Sequence, residues 1–161
     1  MTRSASEIIP CPTDLRTKVR PPRPLDPTIF ERADAEAATL TPDYLSSVSN
    51  SLEGMGRNLA RLRSGGGGDP DTLKALFRGA HDIKGHAGSF NYPLLGEVMG
   101  SLCHYLRDRP AIDARGVKIV ETHMRAAHLV VSRDIKGMGG AKGPELLAEL
   151  AQLLGADAQH T

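Results

Sequence analysis

The 161-residue chain has no tryptophan, and its phenylalanines and tyrosines make up only 4% of it. Aliphatic side chains must therefore fill whatever core it builds. Cysteine is scarce as well. Cys11 and Cys103 show neither Cys-x-x-Cys nor any metal-ligand spacing, which argues against a disulfide framework or a zinc site and suits two free thiols in the cytoplasm. No apolar run approaches the ~20 residues that cross a bilayer. The stretch from Met1 to Pro12 has no apolar segment of the kind a secretion signal needs. A cytoplasmic location with no membrane partner is expected. An excess of one charge is also missing: 20 basic and 19 acidic residues leave a formal charge of +1. With no long basic run, nucleic acid is not an expected partner.

Nucleotide-binding signals fail in the same way. The glycines of "SGGGGDP" (Ser64 to Pro70) are followed by Asp-Pro. A phosphate loop needs Gly-Lys-Ser/Thr there, so that a lysine and a hydroxyl reach phosphate and Mg²⁺. The later "GMGGAKG" (Gly137 to Gly143) lacks that pattern too, and both stretches read as turns or linkers. Hydrolase signatures such as Gly-x-Ser-x-Gly and His-Glu-x-x-His are absent. Nothing in the chain suggests that it phosphorylates itself.

Proline is plentiful. Six of the eleven prolines fall in residues 1–27, which predicts an extended or disordered arm there. The remaining 28–161 are expected to form one helical domain with a core bundle at about 41–135, and a short helix could occupy 28–40. The other prolines act as punctuation. Thr41-Pro42 and Asp69-Pro70 read as a cap followed by proline at the first helical position, and Asn91 with Pro93 less cleanly so. Pro110 ends a helix, and Gly143-Pro144 opens a short last one.

Between these marks the apolar residues recur at helical spacing. Leu45, Val48, Leu52, Met55, Leu59 and Leu62 form one stripe, and Leu73, Leu76, Ala80, Ile83, Ala87 and Phe90 a second. Leu95, Val98, Leu102, Tyr105 and Leu106 form a third, and Val117, Val120, Met124, Ala127 and Val131 a fourth. Four stripes joined by short loops predict an all-α protein, an antiparallel up-down four-helix bundle with an extra N-terminal helix or arm.

The second stripe carries "AHDIKGHAGSF" (Ala80 to Phe90). At ~100° per residue, His81 falls on the shoulder of the buried stripe. Lys84, Gly85 and Gly88 share its side, and Lys74 and Arg78 precede it on the same exposed flank. A glycine inside a helix costs roughly 0.8–1 kcal/mol against alanine. Two on one face want a reason, either close approach of a neighbouring helix or clear access to the imidazole. A neutral imidazole is nucleophilic near physiological pH. Phosphoryl transfer asks mainly for positioning and charge neutralisation, which a nearby lysine can supply. His86 reads as a surface residue on the other flank. His104, His123 and His128 make a poor metal set with Glu97 or Glu121, since His123 and His128 are five apart and do not share a face. No metal site is expected.

"AHDIKGHAGSFNYPLLGEVMGSLCHYL" resembles the histidine phosphotransfer domain, particularly that of chemotaxis-type kinases. The family pattern is His-x-x-Lys-Gly, then small residues, an apolar residue and a turn into the next helix. His81, Lys84 and Gly85 match its centre, and Ala87, Gly88, Ser89 and Phe90 the chemotaxis-type variant. The resemblance implies a four-helix bundle with the phosphoacceptor on its second core helix. It implies that His81 accepts phosphate on Nε2 from a receiver aspartate or a histidine or hybrid kinase, that Lys84 contacts the phosphoryl group, and that a response-regulator receiver takes it on. Lys74, Arg78, Gly85, Gly88 and Ser89 would then meet the partner. No cofactor is implied on this chain, because the receiver brings the Mg²⁺. Two positions depart from the pattern. Asn91 stands where glycine is frequent, and asparagine also tolerates a left-handed helix end. Cys103, with His104 beside it, stands where chemotaxis-type members carry a glutamate that orients the imidazole, and a thiol is a poor orienting acceptor. A phosphorelay carrier, the phosphoacceptor module of a split chemotaxis-type kinase system, and a non-phosphorylated adaptor that binds receivers all remain open at this point.

Overall fold

Apolar residues three and four apart put one greasy stripe on each helix, and burying four such stripes together closes a bundle. The computed structural model describes residues 26, 28–65 and 69–158. The arm expected over 1–27 lies outside them except for Asp26. The helices are α1 (Thr28–Ser64), α2 (Pro70–Ala87), α3 (Pro93–Leu106), α4 (Ala114–Ser132) and α5 (Lys142–Ala158), with a 3₁₀ turn at Gly88–Phe90. No strand is present among the described residues. α1 packs on α2, α2 on α3, α3 on α4 and α4 back on α1, while α5 lies against α3 and α4. Short connections between packed neighbours make successive helices antiparallel.

The stripes read from the sequence form the core. Val48, Leu52, Met55, Leu76, Ala80, Leu95, Val98, Leu102, Val120 and Ala127 are all buried. α1 is led by the buried Tyr44, whereas Leu45 is half-buried. On α3 and α4 burial is wider than one stripe and includes Met99, Ile119, His123 and Val130. The added α5, anchored by the buried Leu150, covers their outer flank.

Side-chain caps fix the starts of α2 and α4. Asp69 caps α2: its carboxylate accepts from the Asp71 N–H and the Thr72 hydroxyl, and Pro70 takes the first turn, as expected. Asp113 caps α4 by accepting from the Gly116 N–H at 2.7 Å. Two expected starts are corrected. Thr41-Pro42 begins nothing, because α1 runs straight through Pro42 and absorbs the separate helix expected at 28–40. Proline there removes one intrahelical bond to the Ala38 carbonyl, but Ala38 is exposed and water can reach that group. The Thr41 hydroxyl donates to the Ala37 carbonyl at 2.9 Å, and alanines at 33, 35, 37 and 38 favour helix strongly. The second correction concerns α3, which is preceded by Tyr92 rather than capped by Asn91. Asn91 instead closes the 3₁₀ turn in the left-handed conformation, φ 63°, the backbone for which asparagine is suited.

That turn is held firmly. Phe90 stacks on Tyr44 of α1 with centroids 4.2 Å apart. The fully buried Tyr92 donates its hydroxyl hydrogen to Asp134, and the Lys136 ammonium donates to the Tyr92 oxygen at 2.6 Å. The Gly137 N–H donates to the Asn91 carbonyl at 2.9 Å. The end of α2 is thus tied to α1 on one side and to the α4–α5 loop on the other.

Candidate functional site

The outer face of α2 carries the residues singled out in the sequence. His81 sits mid-helix, and its side chain is 65% exposed. Phe77, one turn earlier, lies beside it with centroids 6.0 Å apart and ring planes 24° apart. The Asp82 carboxylate is 4.0 Å from Nδ1. Among the described residues no hydrogen bond reaches either ring nitrogen, and Nε2 is free.

The glycines resolve between the two reasons weighed for them. A Cβ at Gly85 or at Gly88 would meet nothing within 4 Å. No neighbouring helix approaches there, so close packing does not explain either residue, and open space lies over both. The close-approach glycine on this helix is Gly79, where a Cβ would come within 2.9 Å of Met55 Cγ on α1. Ser89 is exposed in the 3₁₀ turn that continues this face.

The cations are arranged differently from the expectation of positive company around the ring. Lys74 is exposed and pairs with Asp71 at 3.8 Å, and Arg78 is exposed. Lys84 does not touch the imidazole. Its stem lies across α3 at Gly100, where an added Cβ would stand 3.6 Å from Cε. The charged group in contact with the ring is acidic. Near the start of α2 a cleft of about 410 Å³ opens toward the loop after α3, lined by Leu73, Lys74, Phe77, Leu106, Arg107 and Arg109 among others.

Cys103 is buried on α3, its Sγ 3.9 Å from the Phe77 carbonyl. Burial pushes its thiol pKa up, against the pull of Lys84 and Arg107. It gives the imidazole no acceptor. The other histidines fall as expected or better explained. His86 is exposed and its Nδ1–H donates to the Asp82 carbonyl at 2.9 Å. His104 and His128 are exposed. Among the described residues no group of three His, Cys, Asp or Glu side chains could hold a metal ion.

A helix-borne, solvent-facing histidine with a cleared approach, on the second helix of a four-helix bundle, is the arrangement that the sequence resemblance implied. The sequence model of one family, the Hpt domain, matches residues 40–156. The chain belongs to the Hpt domain family. Such domains serve histidine phosphotransfer in phosphorelays, as carrier modules without kinase activity of their own. Comparison with curated proteins and with solved structures gives no match. The matched span takes in the whole bundle and nearly all of α5, and leaves out most of the N-terminal extension of α1. No helix among the described residues of this Hpt domain is long and apolar enough to cross a membrane.

Three neighbours of the site went unread in the sequence. Phe77 stands four residues before His81, a spacing that puts two helical side chains together, so it was legible in principle. Asp82 is the next residue in the chain, which spacing rules place on a different face. Gly100 seats Lys84 only because α3 packs on α2 in one particular register, and no local signal carries that.

Proposed function

We propose that this Hpt domain carries a phosphoryl group on Nε2 of His81, accepting it from a receiver aspartate or a histidine kinase and passing it to a response-regulator receiver. The observation that carries the reading is the open approach to the ring: an imidazole 65% exposed on a rigid helix, where Gly85 and, in the 3₁₀ turn that follows, Gly88 leave nothing in the way. An imidazole nitrogen is a competent nucleophile when neutral, and its bond to phosphorus is labile enough to pass the group on. Phosphoryl transfer demands mostly alignment and neutralisation of oxygen charge. The bundle supplies the alignment. Lys84, released from its rest over Gly100 or reaching past it, neutralises phosphoryl oxygens one turn from the acceptor. The receiver supplies its own aspartates and Mg²⁺, so this chain needs no cofactor, and the cytoplasm is where such partners meet. Lys74, Arg78 and Ser89, with the bare surface of Gly85 and Gly88, form the contact face, with no role for nucleic acid or membrane.

The test is direct transfer. Incubated with a phosphorylated receiver, the wild-type protein is expected to take up acid-labile, alkali-stable label, and His81→Gln to take up none, a loss of at least about a hundredfold for a removed nucleophile. Label that persists in His81→Gln overturns the assignment. Label obtained only from a kinase with ATP favours the acceptor module of a split kinase system, and receiver binding without label favours the adaptor.

A further inference from the structure

The Hpt bundle holds its imidazole without the orienting glutamate that the resemblance called for, since the corresponding residue, Cys103, points its thiol at the Phe77 carbonyl. Three side chains remain close to the question. Lys84 lies over Gly100. Phe77 supports one face of the imidazole at 6.0 Å between centroids. Asp82 places its carboxylate Oδ1 4.0 Å from Nδ1, with both side chains largely in solvent, 65% and 78% exposed. Adjacent residues on a helix do not ordinarily face each other, yet here the acid approaches the ring on its Nδ1 side and leaves Nε2 clear.

We infer that Asp82 is a positioning residue for the proposed transfer: its charge favours the Nδ1–H tautomer of His81 and so presents the Nε2 lone pair to the incoming phosphoryl group. The inference rests on the reading of His81 as acceptor. At 4.0 Å the carboxylate makes no hydrogen bond to the ring, but its negative charge on the Nδ1 side favours the tautomer that carries its proton there. The chemistry balances without any further group. The Nε2 lone pair attacks phosphorus, the N–P bond forms as the aspartyl O–P bond of the receiver breaks, and that bonding pair leaves on the receiver carboxylate. The Nδ1 proton stays in place, so the ring becomes cationic as the bond forms. That charge develops beside the Asp82 carboxylate, which therefore favours the phosphorylated product as well as the correct tautomer.

The test uses the full chain with ¹⁵N-labelled histidine, comparing wild type with Asp82→Ala and Asp82→Glu. Both sites are solvent-facing, and alanine favours helix, so the bundle is retained. Long-range ¹H–¹⁵N spectra at mildly alkaline pH are expected to show His81 mainly protonated at Nδ1 in wild type, shifted toward Nε2–H in Asp82→Ala, and recovered in Asp82→Glu. Transfer from a phosphorylated receiver is expected to slow by roughly fivefold in Asp82→Ala, the scale of two exposed charges at that separation, with most of the rate restored in Asp82→Glu. An unchanged tautomer ratio in Asp82→Ala, or a transfer rate within about twofold of wild type, overturns the inference. Absence of label in every variant, wild type included, overturns the acceptor role of His81. The tautomer spectra, which need no phosphate, still decide whether Asp82 sets the proton.

Discussion

Two imidazoles in this bundle sit in opposite circumstances. On the outer face of α2, His81 is mostly in solvent, with no hydrogen bond to either nitrogen among the described residues. Between α3 and α4, His123 is fully buried. Its Nδ1–H donates to the Ile119 carbonyl at 2.8 Å, and its Nε2 accepts from the Ser101 hydroxyl at 3.0 Å. The neutral ring fits that slot, and burial pushes its pKa down. Buried polar groups of this kind are satisfied or costly, and a satisfied one has nothing left to offer a substrate. The sequence shows two histidines on two amphipathic helices. The difference in role comes from what each face of the helix meets, and only the exposed one has a nitrogen to spare.

The largest effect that can break this contrast comes from filling the space above His81. Gly85→Leu places a strong helix former where a Cβ meets nothing, so the bundle is expected to fold as well as wild type or better. The added side chain stands where a partner must come, and receiver-driven labelling is expected to fall by at least about tenfold. Circular dichroism and the labelling assay check the two halves together. Normal transfer in a folded Gly85→Leu protein would remove the access account of the glycines and leave the exposed face without a purpose.

A smaller effect sharpens the other side of the comparison. The pKa of His123 is depressed in the folded state relative to its ordinary value of 6.5, so below that value the unfolded chain binds more protons than the folded one. Stability contributed by the neutral ring is fully present above pH 6.5 and is lost as pH falls through the depressed folded value. One proton gives a slope of at most about 1.4 kcal/mol per pH unit. Urea unfolding between mildly alkaline and acidic pH is expected to show this loss in wild type and a flatter profile in His123→Leu. An unchanged slope in His123→Leu would mean that the buried ring does not carry the pH dependence and that its slot is less demanding than the structure shows.

Much of this arrangement was legible before any coordinates. The four stripes were, because burial in a bundle imposes a period close to the helical repeat at every turn. The exposed placement of His81 followed from the same geometry. The tolerance expected of Asn91 was met by a left-handed residue at the end of the 3₁₀ turn. Thr41-Pro42 misled because a local rule, proline as a helix start, was outweighed by the alanine-rich turns before it and by water access to Ala38. The double burial of α3 and α4 could not be read from either helix, since it depends on α5 folding back over both. The electrostatic surroundings of His81 were read only in part. Counting cations on one face ignored both the adjacent Asp82 and the register that sends Lys84 onto Gly100.

The smallest expected effect separates two glycines of the same helix. Alanine at a helix interior gains roughly 0.8–1 kcal/mol over glycine where it fits. At position 85 the new methyl meets nothing, so Gly85→Ala is expected to raise stability by about that amount. A single methyl reaches too short a distance to bar a partner, and transfer stays near wild type. At position 79 the methyl would lie 2.9 Å from Met55 Cγ and 3.0 Å from Sδ, closer than packed carbons sit. Relieving that contact shifts α1 or forces Met55 from its rotamer, at about 1–3 kcal/mol for an overpacked core. Gly79→Ala is therefore expected to gain nothing and to fall below wild type, so that the two variants differ by at least about 1 kcal/mol in urea unfolding. Equal gains at both positions would show that α1 yields easily at Met55. The inner glycine would then be as free of packing duty as the outer one, and the α1–α2 contact would no longer explain why this helix carries a glycine on each side.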